Sequence, residues 1–162
     1  MTEWQGGRVL IRPVISDDAC RLIAASLLCS AQDLRFRFLR SIGRISERFA
    51  VAQLTQIDYE RTIAFVAEGV SGEILATARL VRDACAKTAE FALIVRTDLQ
   101  KSGLGTIMQN VLEEHAIKLD MTEMWGVVDS ENRRGLSFFR GLGYRVSYRA
   151  DFPFPCLAKA LT

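Results

Sequence analysis

Ten residues set between two patterned segments could do chemistry: Arg96-Thr97-Asp98-Leu99-Gln100-Lys101-Ser102-Gly103-Leu104-Gly105. Before them Glu90-Phe91-Ala92-Leu93-Ile94-Val95 reads as a strand. After them Leu104, Ile107, Met108, Val111, Leu112, His115 and Leu119 fall on one face of a helix. A strand, a glycine-bearing turn and a helix N-terminus present unpaired N–H groups and a positive dipole end, which suits a phosphate or pyrophosphate. The loop is not a Walker loop, because Thr106 and Ile107 follow Gly105 where Lys-Ser/Thr is required. It is not a dinucleotide fingerprint either, because Met108 stands where a third small residue is needed. Gly141-Leu142-Gly143 repeats the spacing at the end of a helical pattern and reads as a C-terminal stop.

Glu90 is the second candidate. It is the one charged residue in an apolar strand directly upstream of the loop, where burial would raise its proton affinity toward working pH, as a general base requires. The competing reading is a strand-end carboxylate in water. His115, the single histidine, sits on an apolar helix face and reads as a packed core residue, with no Gly-x-Ser-x-Gly elbow to go with it. Cys20, Cys29, Cys85 and Cys156 form no Cys-x-x-Cys pair, so no metal site is expected. They are expected to pack as small hydrophobes in a reducing cytoplasm.

The elements that must position these residues are legible in outline. The 162 residues are 49% hydrophobic and 25% charged with a net charge of +2, as in an ordinary soluble domain. No signal peptide or membrane-spanning run is visible. Arg8–Val14 reads as a strand, Ser16 as a helix cap before Asp17 and Asp18, and Ser30 as a second cap. Ser46–Gln53 reads as a short helical piece. Thr62–Ala67 and Ile74–Val81 read as antiparallel strands, Met124–Val128 as a strand, Arg133–Arg140 as a helix, and Tyr144–Tyr148 and Cys156–Leu161 as the last strands. This order predicts one α/β (α+β) domain over 1–162. Of the 21 cations 17 are arginines. Arg35, Arg37, Arg40, Arg44 and Arg48 oppose only Asp33 and Glu47, a patch that suits an acidic protein surface better than nucleic acid. Arg133, Arg134, Arg140, Arg145 and Arg149 form a second stretch with no acid between them.

Taken together, Glu90–Val95 and Gln100-Lys101-Ser102-Gly103-Leu104-Gly105 resemble the acetyl-CoA signature of the GNAT N-acetyltransferases, Gln/Arg-x-x-Gly-x-Gly/Ala. Asn132, Phe138-Phe139 and Gly143-Tyr144 resemble a second family element, with Gly135 where alanine is common. Val9-Leu10-Ile11-Arg12-Pro13 and Leu54–Glu60 look most like bacterial Pat-type protein lysine acetyltransferases. The resemblance implies a mostly antiparallel sheet of six or seven strands flanked by about four helices, with acetyl-CoA as co-substrate and no metal. It places backbone N–H groups of Gln100, Lys101, Ser102, Gly103, Leu104, Gly105 and Thr106 on the pyrophosphate. Ile94 and Val95 would pair with the pantetheine amides, one N–H there holding the oxyanion, and Asn132 and Phe139 would touch the arm.

The implied reaction moves an acetyl group from a thioester to an amine. A lysine of pKa about 10.4 is neutral about once in 2,500 molecules at pH 7, so a base must take a proton. Glu90 matches the catalytic glutamate of the Pat-like enzymes. Phe139 replaces the tyrosine that commonly protonates the departing thiolate, a group that leaves tolerably near neutral pH without help. A protein lysine acetyltransferase, possibly acting on an acyl-CoA synthetase, leads. A small-amine acetyltransferase and a non-catalytic acyl-CoA-binding module are the alternatives, and no nucleic acid or membrane partner is expected.

Overall fold

In the computed structural model, which describes residues 1–162, the chain opens with a hairpin of β1 (Thr2–Trp4) and β2 (Gly7–Pro13). Helices α1 (Ala19–Ser26), α2 (Ala31–Phe38) and α3 (Glu47–Phe49) follow, the last continuing as π-helix over Ala50–Thr55. Strands β3 (Thr62–Gly69), β4 (Ile74–Arg82) and β5 (Thr88–Val95) form the antiparallel centre. Then come α4 (Leu104–Lys118), β6 (Glu123–Val127), α5 (Arg133–Gly141), β7 (Arg145–Ser147) and β8 (Cys156–Ala160). One sheet runs β1-β2-β3-β4-β5-β6-β8-β7, with only the β5–β6 pair parallel. The expected six or seven strands and about four helices become eight and five. β1 escaped notice because three residues are too short to show an alternating period.

Alternation along the strands sends side chains to two cores. Phe65, Leu80 and Phe91 pack with Leu104, Met108, Leu112 and Ala116 of α4 on one face. Ala64, Val66 and Ile74 pack with Leu22 of α1 on the other, and Ile94 meets Leu34 and Phe38 of α2 beside them. The sheet is therefore covered on both faces around its centre, which is where β5 needs support from either side. His115 is half-buried with its ring 4.7 Å from that of Phe65, as expected of a packed residue. The cysteines divide: Cys29 and Cys156 are partly buried, but Cys20 and Cys85 are exposed, since they fall on the solvent side of α1 and in the turn before β5. Burial pushes the Cys29 thiol up to about 11. No helix is long and apolar enough to cross a membrane.

Ser16 does not cap α1. The chain makes a 3-10 turn over Ser16–Asp18, and the turn is fixed by Asp18, whose carboxylate accepts the Ile15 N–H at 2.9 Å. The same carboxylate, with no solvent exposure, accepts both arms of the Arg12 fork at 2.8 Å and lies 2.6 Å from Arg21. Both arginines also reach Glu68 on β3. Two cations and two acids thus bind β2, β3 and the start of α1 into one charge-balanced unit.

The β5–β6 pairing covers only Thr88–Glu90 opposite Glu123–Trp125, whereas β5 stays paired with β4 through Val95. The backbone N–H of Asp83 donates to the Thr88 carbonyl and that of Arg96 to the Leu75 carbonyl, so even-numbered residues of β5 turn their backbone groups toward β4. Leu93 and Val95 therefore turn theirs to the edge that β6 has left. At the divergence a Cβ on Gly126 would lie 2.7 Å from the Phe91 ring, so glycine lets that ring rest against β6 just past the last paired residue.

Candidate active site

The parting of β5 from β6 opens a cleft of about 740 Å³. Its floor is the free edge of β5, one wall is α2, and the other is α5 with the start of α4. Gln100, Lys101, Gly103, Gly105, Thr106, Asn132 and Phe139 all line it, together with Ile94 and Val95. The resemblance implies these residues as one group, and the fold brings them to one cavity. Two adjustments follow from the backbone. The N–H and C=O groups offered at the edge are those of Leu93 and Val95, while Ile94 uses its own on β4. Leu104 points its side chain into the core with no exposure and can serve the cleft only through its N–H.

The loop into α4 is built to leave donors free. Gly103 holds φ +86° and Lys101 φ +62°, two left-handed residues with one residue between them. From Gln100 to Thr106 none of the seven consecutive backbone N–H groups finds an acceptor within the protein, Ile107 being the first to donate back, to the Gly103 carbonyl. Ser102 Oγ donates to the Leu99 carbonyl at 2.5 Å and so stabilises the turn from within. Such a row at a helix N-terminus, at the end of an apolar cleft, fits a diphosphate with an extended arm.

Asp33 holds this loop against α2. Its buried carboxylate accepts from Thr97 Oγ1 at 2.5 Å, from Gln100 Nε2 at 2.9 Å and from Arg134 on α5 at 3.1 Å. Ser30 caps α2 as expected, its Oγ accepting the Asp33 N–H, but the Asp33 side chain belongs to the loop and not to a capping box. Asp33→Asn replaces one acceptor oxygen by a donor, which would face Arg134 on one side or Thr97 and Gln100 on the other. Acetyl-CoA affinity measured by calorimetry is expected to fall about tenfold; a change under about twofold would show that the loop holds its shape without this anchor.

Asn132 caps α5, its Oδ1 accepting from the Gly135 N–H at 2.9 Å. A Cβ on residue 135 would lie 2.5 Å from Asn132 Nδ2, so a larger residue there would require the capping amide to shift. Phe139 is buried against Phe91, Phe138 and Tyr144 and has no proton to give. Tyr144 cannot stand in for it: the hydroxyl is buried on the far side, donating to Glu113 and accepting from Gln109, and burial pushes its ionisation well above the usual range. Of the later arginines Arg134 is spent on Asp33 and Arg149 pairs with Asp151, whereas Arg133 and Arg140 are exposed and unpaired.

Glu90 faces the opposite side of β5 from Phe91, half-buried, at the junction of the cleft with a second chamber of about 300 Å³. Burial raises its pKa above the ordinary carboxylate value, Asp83 adds to the rise, and Arg37 opposes it. Asp129 and Glu131, which follow β6, pair with Arg35 of α2.

A carboxylate with raised proton affinity thus stands at one end of a splayed parallel strand pair, and a row of free N–H groups at the other. The family model for the acetyltransferase (GNAT) family matches residues 31–144, which holds all these features. The chain belongs to this family. An acetyltransferase of Pseudomonas aeruginosa is 30% identical over 142 residues, covering 86% of this chain and 76% of that one. Among solved GNAT structures, the GNAT domain of S. lividans PAT superposes with a TM-score of 0.89 at 22% identity over 99% of this chain and 95% of that one. The PaiA N-acetyltransferase of Thermoplasma acidophilum, solved with coenzyme A, gives 0.75 at 15% identity over 94% and 99%. These likenesses extend the GNAT fold over the whole chain.

Two residues of the GNAT site were not singled out from sequence. Arg79 is the lone charge in the apolar strand Ile74–Val81, the same signal that drew notice to Glu90. Arg37 was grouped with a surface patch, but its guanidinium is half-buried beside Glu90.

Proposed function

We propose that this GNAT enzyme transfers an acetyl group from acetyl-CoA to the side-chain amine of a protein lysine, in the cytoplasm. The observation that carries the reading is the row of seven free N–H groups leading along an open strand edge to Glu90. Acetyl-CoA supplies the acetyl thioester. The N–H groups of Gln100 to Thr106 bind the pyrophosphate, and the edge of β5 at Leu93 and Val95 pairs with the pantetheine amides, one N–H there steadying the negative charge that develops on the acyl oxygen. Asn132 and Phe139 flank the arm. Glu90 takes the proton from the amine, and its raised pKa brings it closer to the group it must deprotonate.

The preference for a protein acceptor is supported by the likeness to the GNAT domain of S. lividans PAT and by the segment after α2, where Arg40 lines the second chamber. Arg40, Arg44 and Arg48 are exposed with no ion pair, and would meet an acidic protein surface. Four free thiols fit a reducing compartment.

Incubation with acetyl-CoA and either a proteome extract or a panel of small amines tests the acceptor class. Labelled protein lysines are expected, and turnover of small amines alone would reject a protein substrate. The pH profile gives a second check. Burial disfavours the charged form of Glu90, so the proton stays on to higher pH and the acid limb of kcat/KM should fall above the range of an exposed glutamate. A limb near pH 4 would mean that another group acts as base.

A further inference from the structure

The second chamber is more cationic than a general amine site needs. Arg37, Arg40 and Arg79 line it, and Glu90 is its single acid. Arg37 donates to no acceptor in the protein and joins no ion pair; its guanidinium lies 4.9 Å from the Phe38 ring centroid. Arg79 spends one nitrogen, Nη2, on the Gln53 carbonyl at 2.7 Å and the Leu54 carbonyl at 3.4 Å, leaving the rest of its fork free. On β4 and β5 Arg79 and Glu90 share a face as diagonal neighbours, Arg79 lying opposite Ala92 and Glu90 opposite Val81. Six other arginines, among them Arg12, Arg35 and Arg134, have a carboxylate partner. Arg37 and Arg79 are half-buried without one, and desolvation lowers both, Arg37 to about 10 with the charge of Arg79 adding to the fall.

A partly desolvated pair of like charges is costly unless an anion joins it. The amine that must reach Glu90 is itself cationic in water and would be repelled by the same arginines unless it brought its own negative charge. We propose that the chamber selects acceptors carrying a carboxylate a few atoms from the amine, with Arg37 and Arg79 gripping that carboxylate and Glu90 facing the amine. The carboxylate is either an acidic side chain beside a peptide lysine or the α-carboxylate of a free amino acid. The inference rests on the reading of this site as an amine acetyltransferase.

Two matched pairs test it in steady-state acetylation: a blocked Glu-Lys-Glu peptide against Gln-Lys-Gln, and free lysine against lysinamide. In at least one pair the carboxylate member is expected to have kcat/KM about tenfold higher or more, and the pair that shows it names the source. Arg37→Gln or Arg79→Gln should shrink that ratio to about threefold or less, with Arg37→Lys in between, because a point charge keeps attraction but loses the fork. A ratio is independent of how much variant protein is folded. Equal rates within both pairs, or a ratio unchanged in the glutamine variants, would overturn the proposal while leaving the acetyltransferase intact. If no amine is turned over, the transferase reading fails on its own. Calorimetry with the CoA-bound protein then decides: tighter binding of Glu-Lys-Glu than of Gln-Lys-Gln that Arg37→Gln abolishes supports the carboxylate site, and no difference between the peptides refutes it.

Discussion

Glu90→Gln is expected to lower kcat on the amine acceptor by about 10²- to 10⁴-fold, the usual yield of a positioned base, while leaving acetyl-CoA affinity within about twofold. Glutamine matches the side chain in size and remains polar, so β5 and the N–H groups of Leu93 and Val95 should keep their places. The Glu90 side chain makes no hydrogen bond within the protein and touches no cation closely enough to form an ion pair, so the change orphans no buried partner and its cost falls on the chemistry. The separation of the two readouts is the informative part. Lost turnover with retained affinity assigns the proton transfer to this carboxylate. An unchanged rate would move the base to a relayed water or to another group, and a loss of acetyl-CoA affinity would mean that Glu90 shapes the cleft. The acid limb of the pH profile should vanish in the variant, which a merely structural residue would not produce.

Asp18→Ala is expected to destabilise the domain by about 3–5 kcal/mol, the range for removing one partner from a buried ion network. In a domain of this length that corresponds to a fall in Tm on the order of 10 °C. Arg12 would keep Glu68 as its only acid, the Ile15 N–H would lose its acceptor, and the turn into α1 would lose its anchor. The pH dependence follows from the direction of the Asp18 shift. Burial pushes its pKa up, but the Arg12 hydrogen bonds, the Ile15 N–H and the charges of Arg12 and Arg21 outweigh this and leave it below the ordinary value. A depressed folded pKa means the stabilisation is complete above the unfolded value of about 3.9 and is lost as pH falls toward the folded one. Acid unfolding of the wild type should therefore show a loss below about pH 4 that Asp18→Ala lacks. Parallel acid curves for the two proteins would show that the network contributes little.

Much of the site could be read before any fold was known. The strand Glu90–Val95, the turn and α4 are contiguous, so local periodicity and two left-handed loop positions suffice to aim the N–H groups of Gln100 to Thr106 in one direction. Asn132 likewise caps its own helix. Where the reading missed, the missing information was not local. Ser16 looks like a cap in isolation, but Asp18 wins because Arg12 and Arg21 converge on it from β2 and α1. Ile94 looked as available as Val95 until the β4 register showed which residues of β5 turn their backbone groups to the free edge.

By itself, then, the sequence determined an α/β chain with a glycine-bearing turn that leads into a helix, a carboxylate just ahead of it and a GNAT resemblance carried by two motifs. Tertiary structure decided the rest. It parted β5 from β6 after Glu90, turned Arg37 from a surface patch to the side of Glu90, set Arg79 diagonally across from that carboxylate, and spent Asp33 on the loop it steadies. Each of these depends on strand register and helix placement between residues tens of positions apart. Backbone direction along one segment is encoded by its neighbours in sequence, whereas the charge balance of a chamber is encoded only by what packing brings to its walls.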